Sequence, residues 1–582
     1  MIGKRAVTTA LAVIAVSGPT RAAVRISSAA TQDMSCSGGV CAPTAHDAVL
    51  NVADLEKLLS SGATTVTTAG SGVQANDIVI TAALTWTRPN TLTLDAYRSI
   101  DVESAVSVKA GTNLNLETDD GGTGGSLSFG KKGNVTFASL SCTLAINGVS
   151  YTLAGDIKSL ANAVAANPFG DYALANSYDA SGDGTYSAPP ITTEFKGALE
   201  GLGNRIRNLT ISSVTHDAGL FSEIGQNGNI ENLALLTANV TSLPTGGRAG
   251  ILAATNFGTI DHSYTTGKAS GGRNSDLGGL VGLNRGTITS SHTDVRLSGG
   301  LYSGGLVGYN SIGPIDLSYA DGPVTSTNDN ALGHGGLVGR DIQATISRSY
   351  ATGAVSSRGV AGGLAGESDD GNFVQCHATG SVSSSSVAGG LIGETESSSD
   401  VAKESYATGA VIGGQYSGGL VGWSSGTVTQ SFSTGSIAGN SEVGGLTGVN
   451  WFAISDSYAT GSVSGQQNTE DGGLSGHNEG TVAQVYSTGA PSGGAGSYVG
   501  GLFGYDVRRK HSNTAAYWDT DTSGITNLSQ GAGNIPNDKG ITGMTTEEFQ
   551  SGLPEGFDSM IWAEDPEIND GLPYLLNNPP PN

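Results

Sequence analysis

Past an N-terminal apolar run, the first periodic pattern lies in NVADLEKLLSS at 51–61, where Val52, Leu55, Leu58 and Leu59 share one helical face and Gly62 closes it. From Val66 to Phe137 the period drops to two, as in Ile78-Val79-Ile80, Leu92-Thr93-Leu94 and Leu114-Asn115-Leu116. Gly-rich turns such as DDGGTGG at 119–125 separate these runs, and together they predict irregular β-coils over 65–141. Residues 142–196 break the rhythm. Leu160 to Ala166 predicts a short helix, and Pro168, DASGDG at 179–184 and Pro189-Pro190 mark loops, so this stretch reads as a junction.

From 278 onward one pentapeptide dominates. GGLVG at 278 returns at 304, 335 and 418, with GGLAG at 362, GGLIG at 389, GGLTG at 444, GGLSG at 472 and GGLFG at 500. Fainter copies, AGLFS at 218 and AGILA at 249, precede them. Successive leucines from Leu280 to Leu502 are 26, 31, 27, 27, 29, 26, 28 and 28 residues apart, the mark of a repeat array. A second motif recurs in each unit, SYTTG at 263, SYADG at 318, SYATG at 349, 405 and 457, CHATG at 376, SFSTG at 431 and VYSTG at 485.

The period is compatible with leucine-rich repeats, but units such as GTITSSHTDVRLSGG are rich in Thr, Ser, Val and Gly and leave no room for a helix. Propeller blades need about 40 residues or more. The expectation is an all-β parallel β-solenoid, a right-handed β-helix of about 27-residue coils with a small N-terminal helix. Corresponding residues then stack. Leu280, Leu306, Leu337, Leu364, Leu391, Leu420, Leu446, Leu474 and Leu502 form one interior ladder, with Ile or Val of each GTI/GTV (Ile260, Ile288, Val428, Val482) and Val355, Val382, Val411 and Val463 forming others.

The paired glycines predict a corner or close approach that a Cβ forbids. Asn284, Asn310, Asn450 and Asn478 are expected in turns, where Asn tolerates the left-handed conformation. Tyr264, Tyr319, Tyr350, Tyr406, Phe432, Tyr458 and Tyr486 predict an aromatic column at about 4.8 Å per step, broken by His292 and His377. Its expected role is packing, with sugar binding as the alternative. Eleven coils at that spacing give a repeat body on the order of 50 Å long. The domains expected are a signal peptide at 1–23, an N-terminal cap with the helix at 24–64, irregular coils at 65–141, the junction at 142–196, the repeat solenoid at 197–516, and a C-terminal cap and tail at 517–582.

Composition narrows what such a body does. A net charge of −24 repels phosphate backbones, so no nucleic-acid partner is expected. Lys4 and Arg5, the apolar Ala6 to Val16, Gly18-Pro19 and small residues to Ala22 have the form of a secretory signal cut near Ala22 or Ala23. That run is too short to span a bilayer and no later one is long enough, so no transmembrane segment is expected. Cys36 and Cys41 in CSGGVC, within an exported chain, predict a local disulfide in preference to a metal site, and Cys142 and Cys376 buried thiols.

The GGLVG and SYATG units resemble the GLUG-motif repeats of secreted and cell-surface bacterial proteins, including filamentous-haemagglutinin-like adhesins. FKGALEGLGNRIRNLTI at 195–211 is similar to the opening coil of such arrays, which usually carries Asp where this chain has Leu199 or Glu200. Residues 92–129 are similar to coils of haemagglutinin-like exoproteins, and YWDTDTSG at 517 with IWAEDPEINDGLPYLL at 561 to the closing segment of GLUG-containing chains. The resemblance implies surface exposure and adhesion to a host or cell-surface glycan or protein, and carries no catalytic residues. A clear copy of the two-partner secretion domain is missing, and NNPPPN matches neither an outer-membrane strand nor a sorting signal, so the expected location is extracellular or the outer cell surface, and periplasmic if the chain is not exported further.

Specific chemistry is sparse. GLUG repeats also accompany an IgA-cleaving metalloprotease, but none of the eight His residues is followed by Glu, so HExxH is not matched. The GxSxG elbow is not matched either. DASGDG at 179–184 and DTDTSG at 519–524 imitate the start of an EF-hand loop, yet Pro190 and Gln530 stand where its bidentate Glu belongs, leaving Ca²⁺ only as a weak expectation and no cofactor otherwise. Asp119, Asp120, Asp294 and Arg296 are of the residue types used by polysaccharide lyases and hydrolases, but no spacing joins them. The reading is a non-enzymatic surface solenoid, with a carbohydrate-active β-helix and a passive stalk as alternatives. Recognition is expected in variable loops such as 270–276 and 326–334.

Overall fold

The computed structural model describes residues 22–109, 111–243, 246–327, 332–507 and 513–581. The expected signal peptide lies, up to residue 21, outside these, as does part of the loop at 326–334. The described chain forms two compact units that divide between Tyr151 and Thr152.

The first unit is a small parallel solenoid. Strands Ala23–Ser27, Ala48–Asn51, Asp77–Ile80, Ile100–Val102 and Leu127–Phe129 make one sheet, and Leu84–Trp86, Ala105–Val108 and Asn134–Phe137 a second. A third face runs from Val40–Pro43 through Thr64–Thr67, Thr91–Asp95 and Asn113–Glu117 to Thr143–Ile146. Alternating residues point inward, so Leu92 aligns with Leu114 and Leu114 with Leu144, all buried. Helix α1, Val52–Ser61, is capped by Asn51 and buries Leu55 and Leu59. The expected cap at 24–64 is therefore part of the coil: Val24 and Ile26 pair in register with Ile78 and Ile80, because this segment alternates like its neighbours. Cys36 and Cys41 face each other across a hairpin, joined by a disulfide with Cα atoms 4.0 Å apart.

The second unit opens with the end of strand Val149–Ala154, which pairs with Tyr172–Leu174, followed by helix α2, Ile157–Ala166, held by an Asp156/Ser159 capping box. Pairing begins inside the expected junction: Tyr172–Leu174 lies beside Ala198–Glu200 and Tyr178–Asp179 beside Arg205–Arg207. Each repeat then contributes strands to three parallel sheets, two of them eleven-stranded, from Asp217–Ala218 to Tyr498–Gly500 and from Phe221–Ile224 to Phe503–Asp506. The GGLxG motif is the arc between those two sheets.

Its leucines, Leu280 to Leu502, are all fully buried, each worth about 2 kcal/mol of transfer free energy. The arc glycines do not adopt left-handed backbone; they permit contact. A Cβ on Gly278 would sit 1.9 Å from the Val281 carbonyl oxygen, and one on Gly279 2.0 Å from that of Gly305 in the next rung.

Positive φ falls one corner later, on His262, Ser290, Leu317, Arg348, Gln375, Glu404, Gln430 and Asp456, with φ from 45° to 56°. The residue after each of these is Ser, or Cys376 in one rung, whereas Asn232 and Gln484 take the same corner ahead of Leu233 and Val485. Ser263 N donates to Ser291 Oγ at 3.1 Å, Ser291 N to Ser318 Oγ at 3.2 Å and Ser318 N to Ser349 Oγ at 3.1 Å, so a hydroxyl column supports the strained corner.

Asn284, Asn310, Asn450 and Asn478 differ from expectation. They are not left-handed turn residues but end strands as a buried ladder. Asn256 Nδ2 donates to Asn284 Oδ1 and Asn284 Nδ2 to Asn310 Oδ1, each at 2.8 Å, and Asn450 Nδ2 likewise to Asn478. An amide both donates and accepts, so identical side chains satisfy one another along the axis.

The aromatic column is continuous. Tyr264, His292, Tyr319, Tyr350, His377, Tyr406, Phe432, Tyr458 and Tyr486 stack with centroids 4.5–5.0 Å apart and planes within 9°. The two His do not interrupt it, since burial lowers their pKa and a neutral imidazole stacks like a phenyl ring. The C-terminal region does not begin at 517, because Thr514–Asp519 is a further rung beside Thr481–Ser487. Beyond it the chain runs back along the column: Phe549, Trp562 and Leu575 bury Phe432, Tyr458 and Tyr486. Tyr486 Oη donates to Pro573 O at 2.6 Å, and Asn578 Nδ2 to the Ser405 and Gln430 carbonyls at 3.2 and 3.1 Å.

Candidate functional site

The aromatic column is a poor sugar platform. Face-to-face stacking leaves only ring edges outward, whereas a sugar ring packs on an aromatic face. Tyr350 and Tyr406 are half-buried and Tyr458 is fully covered by the C-terminal segment, so all three act in packing.

A different surface emerges beside the arcs. In each of the nine copies one residue precedes the glycine pair by two positions and another follows the last glycine directly, always seven residues apart. In order the pairs are Asp276/Leu283, Tyr302/Tyr309, Gly333/Arg340, Val360/Glu367, Val387/Glu394, Tyr416/Trp423, Glu442/Val449, Glu470/His477 and Tyr498/Tyr505. The arc folds each pair together. Ring centroids are 5.6 Å apart for Tyr302/Tyr309, 4.6 Å for Tyr416/Trp423 and 5.5 Å for Tyr498/Tyr505, and His477 Nδ1 meets Glu470 Oε2 at 2.7 Å. Register stacks the pairs rung upon rung, so Glu367, Glu394 and Trp423 are successive neighbours, as are Tyr416, Glu442 and Glu470.

The stripe is electrostatically loaded. Arg340 binds Glu367 at 2.6 Å and Glu396 at 2.9 Å, with its guanidinium 5.7 Å from the Tyr302 ring. Burial nevertheless dominates for Glu367, raising its pKa to about 7 against the pull of Arg340. Burial, then repulsion from Glu396, raises Glu394; burial also raises Glu442 and takes Asp276 to about 6. Burial disfavours the His477 cation, but Glu470 and Glu479 outweigh it and hold its pKa above the usual value. The arrangement presents carboxyl groups and aromatic surface along the axis, chemistry suited to holding a ligand.

The other sequence candidates fall elsewhere. Asp179 Oδ1 accepts from Ser181 N and Asn208 Nδ2, and Asp183 accepts from the Tyr178 and Tyr186 hydroxyls. Asp519 caps its own turn and binds Thr546 Oγ1 at 2.7 Å, anchoring the C-terminal segment. Both EF-hand-like stretches therefore use their carboxylates on the chain's own donors. Among the described residues no group of three or more His, Cys, Asp or Glu is placed to hold a metal ion. Asp294 and Arg296 are exposed on strand His292–Gly299 of the second unit, while Asp119 belongs to the first, where it accepts from Gly125 N. Cys142 and Cys376 are buried free thiols, and no described helix is long and apolar enough to cross a membrane. The arc-flanking pairs were missed by motif reasoning, which follows what repeats; their signal is the two positions beside GGLxG that vary most.

No protein-family profile matches the chain. Halomucin of Haloquadratum walsbyi is 40% identical over 89 residues, 15% of this chain and 1% of that protein, so the chain spans a very small part of this relative's length. Among solved structures, an IgA1 protease aligns with a TM-score of 0.35 and 20% identity over 46% of this chain and 23% of that one. A Bacteroides ovatus chain described as a candidate immunoglobulin A1 protease aligns with a TM-score of 0.29 and 18% identity, over 42% and 69% respectively.

Proposed function

We propose that this chain is an extracellular, non-enzymatic β-solenoid of the GLUG-motif kind that binds a glycan or protein partner along the arc-flanking stripe, in adhesion or as an interaction scaffold. One observation carries the reading: nine arcs keep the same buried Leu and the same glycines, while the pair beside them varies among seven residue combinations, only Tyr/Tyr and Val/Glu occurring twice. A passive stalk needs only the constant part. The hairpin disulfide supports an oxidising compartment.

The test is binding of the folded chain to a glycan and extracellular-matrix array, with heat-unfolded protein as control. Saturable binding lost on unfolding is expected. No binding by demonstrably folded protein would overturn the reading in favour of a stalk.

Polysaccharide cleavage is a second reading, favoured by the neighbouring carboxyl groups of Glu367 and Glu394 beside Trp423. Burial raises both carboxyls and takes Glu367 to about 7, the direction a general acid requires. Release of reducing or unsaturated sugars from a polysaccharide panel would support it, and silence with and without Ca²⁺ would sink it.

A further inference from the structure

The middle of the stripe differs chemically from the rest. Tyr416 and Trp423 meet edge to face at 4.6 Å and 71°, and Trp451 lies 5.6 Å from Trp423 with 43% of its surface exposed. Phe452 beside it is 45% exposed, so the Tyr416/Trp423 pair continues into open aromatic surface next to the stripe. Carboxylates bracket it diagonally: Glu394 is the rung neighbour of Trp423 on one side and Glu442 that of Tyr416 on the other.

Among the described residues neither carboxylate has an ion-pair partner of its own, although Arg340 attracts Glu394 and His477 attracts Glu442 from nearby. Glu394 adjoins Glu367 and Glu396, and the nearby Arg340 is already committed to both of those. Glu442 adjoins Glu470, whose partner is His477, and Glu442 Oε2 is buried with no hydrogen-bond partner. A buried acceptor without a donor is costly, and a ring face beside a carboxylate attracts positive charge. A neutral ligand would answer only the aromatic half of this surface.

We propose that Tyr416, Trp423 and Trp451, flanked by Glu394 and Glu442, form a seat for an organic cation, an alkylammonium or guanidinium group. The ammonium of an amino sugar and the side chain of Lys or Arg share this chemistry. The cation lies over the aromatic faces while its N–H groups donate to Glu442 Oε2 and to the Glu394 carboxylate. The proposal deepens the binding reading above by naming the ligand's charge, and it rests on the same stripe being used.

The experiment titrates the full chain, by calorimetry at low salt, with N-acetyl-arginine methylamide, N-acetyl-lysine methylamide and a glucosamine oligomer. The citrulline analogue and the N-acetylated oligomer serve as neutral matches. Saturable binding of the cations and none of the neutral matches is expected, and which cation binds best identifies the source. Glu442→Gln and Glu394→Gln should each weaken binding about tenfold or more, as expected for losing a charge contact beside an aromatic face. Trp423→Phe should weaken it while keeping the fold, checked by an unchanged melting temperature.

Equal binding of neutral matches, no binding of any cation, or full affinity in Glu442→Gln would each overturn the seat. An array partner insensitive to Glu442→Gln would leave the broader reading standing without it, and cation binding with an empty array would do the reverse.

Discussion

Substituting Gly389 by Ala puts the arc's geometry to a quantitative test. The new Cβ would lie 1.8 Å from the Ile392 carbonyl oxygen of its own arc and 2.7 Å from Gly422 N of the next rung. Reaching ordinary separation requires these backbone atoms to retreat by roughly 1.5 Å, with no flexible side chain to absorb it. The same arc donates from Gly390 N to Gly418 O at 3.1 Å and from Leu391 N to Leu420 O at 2.8 Å. Overpacking costs about 1–3 kcal/mol and each lost hydrogen bond about 1 kcal/mol, so a local penalty of about 3–5 kcal/mol is expected.

Stacked repeats depend on nearest neighbours, so the defect should divide the array at this rung. Denaturant unfolding followed by far-UV circular dichroism should broaden into two steps, and hydrogen exchange should show the Leu391 and Leu420 amides losing protection. Gly182→Ala is the control, because nothing lies within 4 Å of its added Cβ and its φ is not left-handed; it should stay within about 0.5 kcal/mol of the parent. An unfolding curve for Gly389→Ala matching the parent would refute the close-approach account.

Three further outcomes are expected. Trp562→Ala removes a side chain buried against Tyr458 and Tyr486 and should cost about 3–5 kcal/mol of docking free energy, read as new protease cleavage within 545–578 while the rungs stay intact; unchanged cleavage would contradict the cover. Burial raises the pKa of Glu200 from 4.5 to about 8, so its contribution to stability is complete below about 4.5 and lost as pH rises through about 8. Melting temperatures of Glu200→Gln relative to the parent should thus improve with rising pH across that window, and a difference independent of pH would refute the assignment. Reducing the Cys36–Cys41 bond should lower the melting temperature of the first unit and leave that of the repeats unchanged, by calorimetry with and without reductant.

Much of the interior was legible because a solenoid forces identical residues into identical surroundings. The leucine ladder could be read from one pentapeptide, and Tyr350, Tyr406 and Tyr458 occupy one column because their units have nearly equal lengths. The Asn ladder was misread for a physical reason: Asn beside Gly suits an exposed left-handed turn, and only burial reveals an amide chain that satisfies itself. The true left-handed corner was illegible, since residues as different as Leu317, Arg348 and Glu404 occupy it and in most rungs a serine that follows supports it. The C-terminal cover over Tyr486 depends on contacts across 87 residues, which no local pattern encodes. The candidate stripe escaped notice because variation beside a strict repeat looks like noise until the arc brings positions seven apart into contact.

The most direct test of the account is a comparison on the glycan and matrix array of the parent chain with a chain carrying Tyr302→Ser, Tyr416→Ser, Trp423→Ser and Tyr498→Ser. All four residues lie on the surface stripe outside the buried ladders, so the variant should keep its circular dichroism spectrum and lose its partner. A folded variant that binds as tightly as the parent would contradict the claim that the arcs exist to present this surface.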